Sequence, residues 1–429
     1  ITFMIGFLSW YYGRHTRQQL RARDGFMVVF LMWVTLSLFA ALPFMLAYSP
    51  HVSLTDAMFE SVSGLTTTGV TTFSYLDDFP MSILYYRQQL QFLGGMGIIV
   101  LAVAIMPMIG VGGMQLYKTE ISGPMKDNKL TPRITETAKA LWLLYCGLNI
   151  LCTFSYWMCG MSFFDALSYS FSTIATGGFA PHTASIAYYT DPTIYVISIF
   201  FMIVGGANFS LHYLACIKRS AMPYWRDAEF RQYIFIYGMM FVLFSVVLVA
   251  TGHYGSWGMA ILHGVYQVVA FGTTTGFISD NYFHVWPLFL PVLLMLLGML
   301  GACAGSTTGG IKIIRLMMFQ GQVKREVNRL IHPSGMFPLK FGSTIIPDRV
   351  MNSLWSFLCA YIMVFILLWL AVMASGLDVL SAFSAAASCL ANVGPALGTV
   401  SNNFSSVNDV RQGKFFEINV NENDETKAK

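Results

Sequence analysis

The chain alternates long uncharged apolar runs with short connections that carry charge, glycine or threonine. Residues 26–48, 90–116, 140–161, 194–217, 234–251, 286–311 and 354–374 contain no Asp, Glu, Lys or Arg. A helix needs roughly 20 apolar residues to cross the hydrocarbon core of a bilayer, and these runs have about that length. They are too long for barrel strands, so the pattern predicts membrane-spanning helices, whose backbone groups are satisfied within each segment. Residues 1–12 are apolar as well and read as the last part of an earlier span.

Four shorter, moderately apolar segments of about 10–14 residues interrupt the series and are too short to cross. They occupy residues 56–69, 165–177, 263–276 and 381–394, and their ends resemble one another: Ser63-Gly-Leu-Thr-Thr-Thr-Gly69, Phe171-Ser-Thr-Ile-Ala-Thr-Gly177, Ala270-Phe-Gly-Thr-Thr-Thr-Gly276 and Ser388-Cys-Leu-Ala-Asn-Val-Gly394. Their final glycines, at 69, 177, 276 and 394, lie 108, 99 and 118 residues apart, with two full spans and one short segment per interval. Asp56 and Asp165 are placed to cap short re-entrant helices. The negative end of each such helix would then face its Thr/Asn-x-Gly stretch. The pattern divides the chain into residues 1–24 (end of an earlier span and a basic linker), four repeats at 25–117, 118–217, 218–318 and 319–407, and a polar tail at 408–429.

Composition supports lipid as the solvent: 55% of the 429 residues are hydrophobic and 11% charged, against about 25% charged in an average soluble domain. The net charge of +4 is no nucleic-acid signal, because Lys and Arg cluster in alternate connections. Such connections face the cytoplasm. The opposite connections hold Arg87 alone before residue 410. Each repeat therefore starts from the cytoplasmic side. Repeats in one orientation surround an axis along the membrane normal and suit a central pore. The seven cysteines sit in apolar segments without a CxxC pair and read as small buried hydrophobes, with no disulfide framework and no metal cluster.

A cation crossing lipid needs oxygens in place of its water, and four backbone strands can supply stacked rings of carbonyls. Glycine reaches the left-handed angles that turn successive carbonyls inward. The candidate filter strands are Thr67-Thr68-Gly69-Val70, Ala175-Thr176-Gly177-Gly178, Thr274-Thr275-Gly276-Phe277 and Asn392-Val393-Gly394-Pro395, the fourth being the weakest match. A second candidate is Gly301-Ala302-Cys303-Ala304-Gly305-Ser306-Thr307-Thr308-Gly309-Gly310, small residues in the middle of a stretch too long for one straight span. Broken backbone at that depth must be buried in protein or line a watery path. Arg87 can bind carboxylates or carbonyls behind the first strand, or snorkel to headgroups. Glu60 can draw cations toward the filter or pair with Arg87. His212, after Asn208, reads as a satisfied polar contact. HExxH, GxSxG and paired intramembrane aspartates are missing from the sequence, so an enzyme is not expected.

The chain resembles the Trk/Ktr/HKT superfamily of K⁺ transporters, and within it the membrane subunits of the bacterial Trk uptake system. The resemblance runs from about residue 1 to 407 on Ser63-Gly-Leu-Thr-Thr-Thr-Gly69, Gln91-Phe-Leu-Gly-Gly-Met-Gly-Ile-Ile-Val-Leu-Ala-Val-Ala-Ile105, Val111-Gly-Gly-Met-Gln-Leu116 and the run 301–310. It implies an all-α integral membrane fold of four membrane–pore-loop–membrane repeats about a pseudo-fourfold pore. It also implies gated, channel-like K⁺ uptake across the bacterial inner membrane, with K⁺ as the transported ion and no organic cofactor. Gly69, Gly177, Gly276 and Gly394 become the filter glycines, and residues 301–310 a gate loop beneath them. A glycine at 69 favours K⁺ over Na⁺. The implied partners are a cytosolic TrkA-like nucleotide-binding ring and a second copy of the chain. The family pattern continues with a further span after the fourth filter strand, whereas residues 408–429 are polar. The last repeat is thus expected to lack its second helix, which keeps a non-conducting chain open as an alternative. So does K⁺ symport with H⁺ or Na⁺, for which Glu60 is the candidate group.

Overall fold

The structure, a computed structural model, describes residues 11, 22–47, 51–100, 134–280, 286–341 and 344–400. The second half of the expected span 90–116, the Val111–Leu116 motif and the polar tail lie outside the described residues, as does the question of a final helix.

The described chain is helical: α1 Ala22–Ala40, α2 Leu54–Leu65, α3 Met81–Val100, α4 Ile134–Met158, α5 Phe163–Ala175, α6 Pro192–Gly206, α7 Phe209–Lys218, α8 Ala228–Thr251, α9 Trp257–Gly272, α10 Phe289–Leu300, α11 Ile313–Ile331, α12 Asp348–Ala374 and α13 Val379–Ala391. A two-residue antiparallel ladder, Lys340–Phe341 with Thr344–Ile345, interrupts the linker before α12. Segments Ala138–Met158, Ala228–Thr251 and Val350–Ala374 are long and apolar enough to cross a bilayer unaided.

Polarity is inverted relative to a soluble protein. The outer faces present large apolar side chains such as Phe200, Phe235, Val242, Val246 and Leu367, while Ser168, Ser172, Thr173, Thr274, Thr275, Ser384 and Ser388 are fully buried. A water-soluble domain places these the other way round. This is an all-α integral membrane fold.

The four short helices α2, α5, α9 and α13 each start at a side-chain cap. Asp378 caps α13 through Leu380 N and Ser381 N, and Ser256 caps α9 through Met259 N. Ser53 and Ser162 cap α2 and α5, not Asp56 and Asp165. Each serine accepts from the N–H three residues on and donates to that residue's carboxylate, at 2.6 Å for Asp56 and 2.8 Å for Asp165. The expected caps thus lie at the third helical position of a capping box, and the helices begin earlier than expected.

The uncharged run 194–217 is not one span. It breaks after Gly206 and turns by 98° into α7, where Asn208 caps the new helix through Ser210 N at 2.8 Å. The polar groups freed by the break meet the 301–310 segment: Phe209 N donates to Gly305 O at 3.0 Å, and Cys303 N to Gly206 O at 3.1 Å. Two helix breaks therefore satisfy each other inside the protein, as broken backbone at membrane depth must.

Candidate functional site

All four short helices end in the same way. Thr67, Thr176, Thr274 and Asn392 adopt left-handed angles, with φ of 54°, 52°, 53° and 56°. The next N–H after each of these residues closes back on the helix: Thr68 to Ser63 O, Gly177 to Ser172 O, Thr275 to Ala270 O and Val393 to Ser388 O, at 2.8–3.0 Å. This is the six-to-one bond of a Schellman ending. One residue further, Gly69, Gly178, Gly276 and Gly394 again have positive φ.

That register corrects one expectation. Gly177 stands level with Thr68, Thr275 and Val393, and Gly178 is the glycine in register with Gly69, Gly276 and Gly394. Ala175 is the last residue of α5, outside the strand. Within Thr176-Gly177-Gly178 the glycine in register is accordingly the second, one residue later than the spacing of the sequence suggested.

The four strands close into a ring. A methyl group at Gly69 would strike the Gly177 carbonyl, one at Gly178 the Thr275 carbonyl, and one at Gly276 the Val393 carbonyl, while one at Gly394 would lie 3.3 Å from Thr68 O. The same seam between strands 4 and 1 carries a hydrogen bond from Thr68 Oγ1 to Asn392 Oδ1 at 2.8 Å. Gly69, Gly178, Gly276 and Gly394 all line one cavity of about 590 Å³; Gly177 does not. Four helix C-termini thus converge on one ring with their negative ends toward it, which favours a cation there.

Buried side chains brace the ring from behind. Arg87 and Glu60 are both fully buried and paired, with Arg87 Nε 2.7 Å from Glu60 Oε1. Arg87 also donates to Ala180 O at 3.1 Å, and Glu60 accepts from Thr71 Oγ1 at 3.0 Å and Thr72 N at 3.3 Å. Of the alternatives for these two residues, the geometry takes the pair; Arg87 does not snorkel. Gln91 donates to Gly177 O at 2.7 Å and accepts from Phe179 N at 3.1 Å. Gln91 joins the site residues expected from the sequence, where it opens one of the family motifs. Its signal is an amide placed four residues after Arg87, on the same helix face. His212 has both ring nitrogens satisfied, by Tyr224 Oη at 2.6 Å and Val204 O at 2.9 Å.

The loop between α10 and α11 lies against the helix ends on the other side of the ring from the cavity. Thr307 Oγ1 donates to Ile174 O at 3.0 Å and accepts from Thr176 Oγ1 at 3.0 Å. Gly309 N donates to Thr274 Oγ1 at 2.8 Å, and a methyl group at Gly309 would strike Ala391 O. The loop therefore touches the C-terminal ends of α5, α9 and α13. Its own turns are held by Ser306, which donates to Cys303 O at 2.6 Å, and by Lys312, which donates to Thr308.

The family model for TrkH, described as a cation transport protein, matches residues 1–413. The chain belongs to the TrkH family. It is 48% identical over 410 residues to the Trk system potassium uptake protein TrkH of Escherichia coli (strain K12), covering 96% of this chain and 85% of that protein. It is 47% identical to the TrkH of Vibrio parahaemolyticus, covering 95% and 84%. The crystal structure of the potassium transporter TrkH from Vibrio parahaemolyticus superposes with a TM-score of 0.87 at 44% identity, over 95% of this chain and 84% of that one. TrkH membership fits the helical, lipid-facing architecture already described.

Beside the cavity in this TrkH-family chain, the loop after strand 2 carries a titratable bridge. His182 Nδ1 lies 3.1 Å from Asp77 Oδ1 and Nε2 lies 3.3 Å from Asp165 Oδ1, with the ring stacked on Tyr188. Burial pulls the imidazole pKa down, but the two carboxylates, Asp165 beside Nε2 and Asp77 hydrogen-bonded to Nδ1, outweigh it and raise the pKa above 6.5. A raised folded pKa contributes stability that is fully present below the unfolded value and is lost as pH rises through the folded one. His182→Gln is therefore expected to lower the thermal midpoint more below pH 6.5 than at alkaline pH. Asp77 is well exposed, so the effect is small, at most about 1 kcal/mol. Melting curves of both proteins across that range test it, and a pH-independent difference would remove the bridge.

Proposed function

We propose that the chain takes up K⁺ across the inner membrane of a bacterium, along the axis of the four-strand ring. The observation that carries this reading is the set Gly69, Gly178, Gly276 and Gly394, four glycines of one backbone conformation around one cavity. Ring carbonyls replace the water of a dehydrated cation. Threonine hydroxyls at 68 and 275 add oxygens in two strands. Glycine at the first position keeps that ring level free of side chains, which favours K⁺. The TrkH relatives named above are potassium uptake proteins of a Trk system. On this reading the chain works with further Trk components: a cytosolic TrkA-like nucleotide-binding ring and a second copy of itself.

Residues 301–310 act as the gate. They close the inner side of the ring through Thr307 and Gly309, and ions pass when those contacts are released. A proton-coupled symport would need a free carboxylate on the ion path. Glu60 is engaged with Arg87, Thr71 and Thr72, which favours channel-like flux. Expression in a bacterium lacking its own K⁺ uptake is expected to restore growth at low K⁺, and Gly69→Asp to abolish the rescue. Equal growth of the two strains would refute the ring as the route.

A further inference from the structure

We propose that Glu229 is the clasp that holds the 301–312 loop in its closed position; the proposal rests on the reading of that loop as a gate. Glu229 lies in the first turn of α8 and is 2% exposed. An acid there ordinarily serves its own helix, but α8 is already capped by Asp227, whose Oδ1 accepts from Phe230 N at 2.7 Å. Glu229 reaches across instead. Its Oε1 accepts from Ala304 N at 2.7 Å and from Ile314 N at 3.2 Å, 75 and 85 residues away in the chain.

The two donors have different roles. Ala304 belongs to the loop. Ile314 is the second residue of α11, whose own cap position, Lys312, offers no side-chain acceptor and has φ of 77°. A carboxylate at a helix N-terminus satisfies an orphan N–H and complements the helix dipole. Glu229 thus caps α11 from another helix, and the same oxygen ties the loop to that cap. Movement of the loop away from the ring must break the Ala304 bond, while α11 keeps its cap. Glu229 acts through the backbone, so it is a positioning residue for the gate.

The test uses the whole chain in proteoliposomes, reading rubidium uptake and the alkylation rate of each cysteine by mass spectrometry. Cys303 is buried in the loop, and Cys152, buried in α4, is the control. Glu229→Ala is expected to speed Cys303 alkylation about tenfold, equivalent to about 1.4 kcal/mol, with Cys152 unchanged. Maximal uptake should rise with an unaltered KM. Glu229→Gln, which keeps an acceptor oxygen, should fall between wild type and alanine. Adding Gly69→Asp to Glu229→Ala should remove the uptake and leave Cys303 fast. Unchanged alkylation of Cys303, or equal acceleration at Cys152, overturns the clasp. Faster Cys303 without increased uptake leaves the clasp standing and overturns the gate.

Discussion

Gly178→Ala is expected to reduce rubidium uptake by at least a hundredfold, and Gly177→Ala by less, about ten- to thirtyfold. Gly178 has φ of 79°, and a methyl group on it would meet the Thr275 carbonyl of the next strand. Left-handed backbone costs a non-glycine residue roughly 1–2 kcal/mol. The collision is with backbone, so no rotamer change relieves it. The Thr275–Gly276 peptide would have to turn, breaking the 2.9 Å bond from Gly276 N to Ala270 O and removing an oxygen from the ring. Together these exceed the ~2.8 kcal/mol that a hundredfold change requires. Gly177 is different. Its methyl would meet the carboxamide of Gln91, 2.5–2.8 Å away, the far end of a flexible side chain. Gln91 can swing aside at the loss of two hydrogen bonds, worth about 0.5–1.5 kcal/mol each. Uptake into proteoliposomes, normalised to folded protein, decides between them. If Gly177→Ala is the more damaging, the register read from helix ends is wrong and that of the sequence spacing is right.

That contrast marks where sequence reading stops. The uncharged runs locate most helices because lipid imposes a length and a polarity that composition records directly. Residues 301–310 stand out for the same reason, since four glycines interrupt an apolar run where a helix should continue. Glu60 and Arg87 are conspicuous because charge is scarce beside them. Fine register is another matter. Thr176-Gly177-Gly178 offers two glycines, and the bond from Gly177 N to Ser172 O together with the positive φ of Gly178 selects the second. The break at Gly206 is invisible to hydropathy, because both arms are apolar and the bend depends on loop 301–310 to satisfy its polar groups. Glu229 hides among Arg226, Asp227 and Arg231, a cluster that reads as a solvated connection. Its partners are backbone amides from a distant segment, which leave no mark in sequence.

The Arg87–Glu60 pair should show the largest effect on stability. Both groups are fully buried, and they meet at 2.5–2.7 Å. The guanidinium also packs against the Phe179 ring at 4.2 Å and binds Ala180 O, so it links the residues just after strand 2 to the α2 carboxylate that holds Thr71 and Thr72, just after strand 1. Removing one partner of a buried pair leaves the other charge uncompensated and costs about 3–5 kcal/mol. Arg87→Met is therefore expected to lower the thermal midpoint in detergent steeply. It should also weaken discrimination between K⁺ and Na⁺, because two neighbouring strands lose their common support. Glu60→Gln should also be costly, because the buried guanidinium of Arg87 then keeps its charge beside a neutral amide. The double variant should be more stable than Arg87→Met alone, because no charge is then left buried without a partner. A double-mutant cycle reads the coupling directly, with about 2 kcal/mol or more expected for groups in contact. Additive single effects of under about 1 kcal/mol would equate the pair with an exposed salt bridge, and the bracing of the ring would have to come from Gln91 and the helix ends alone.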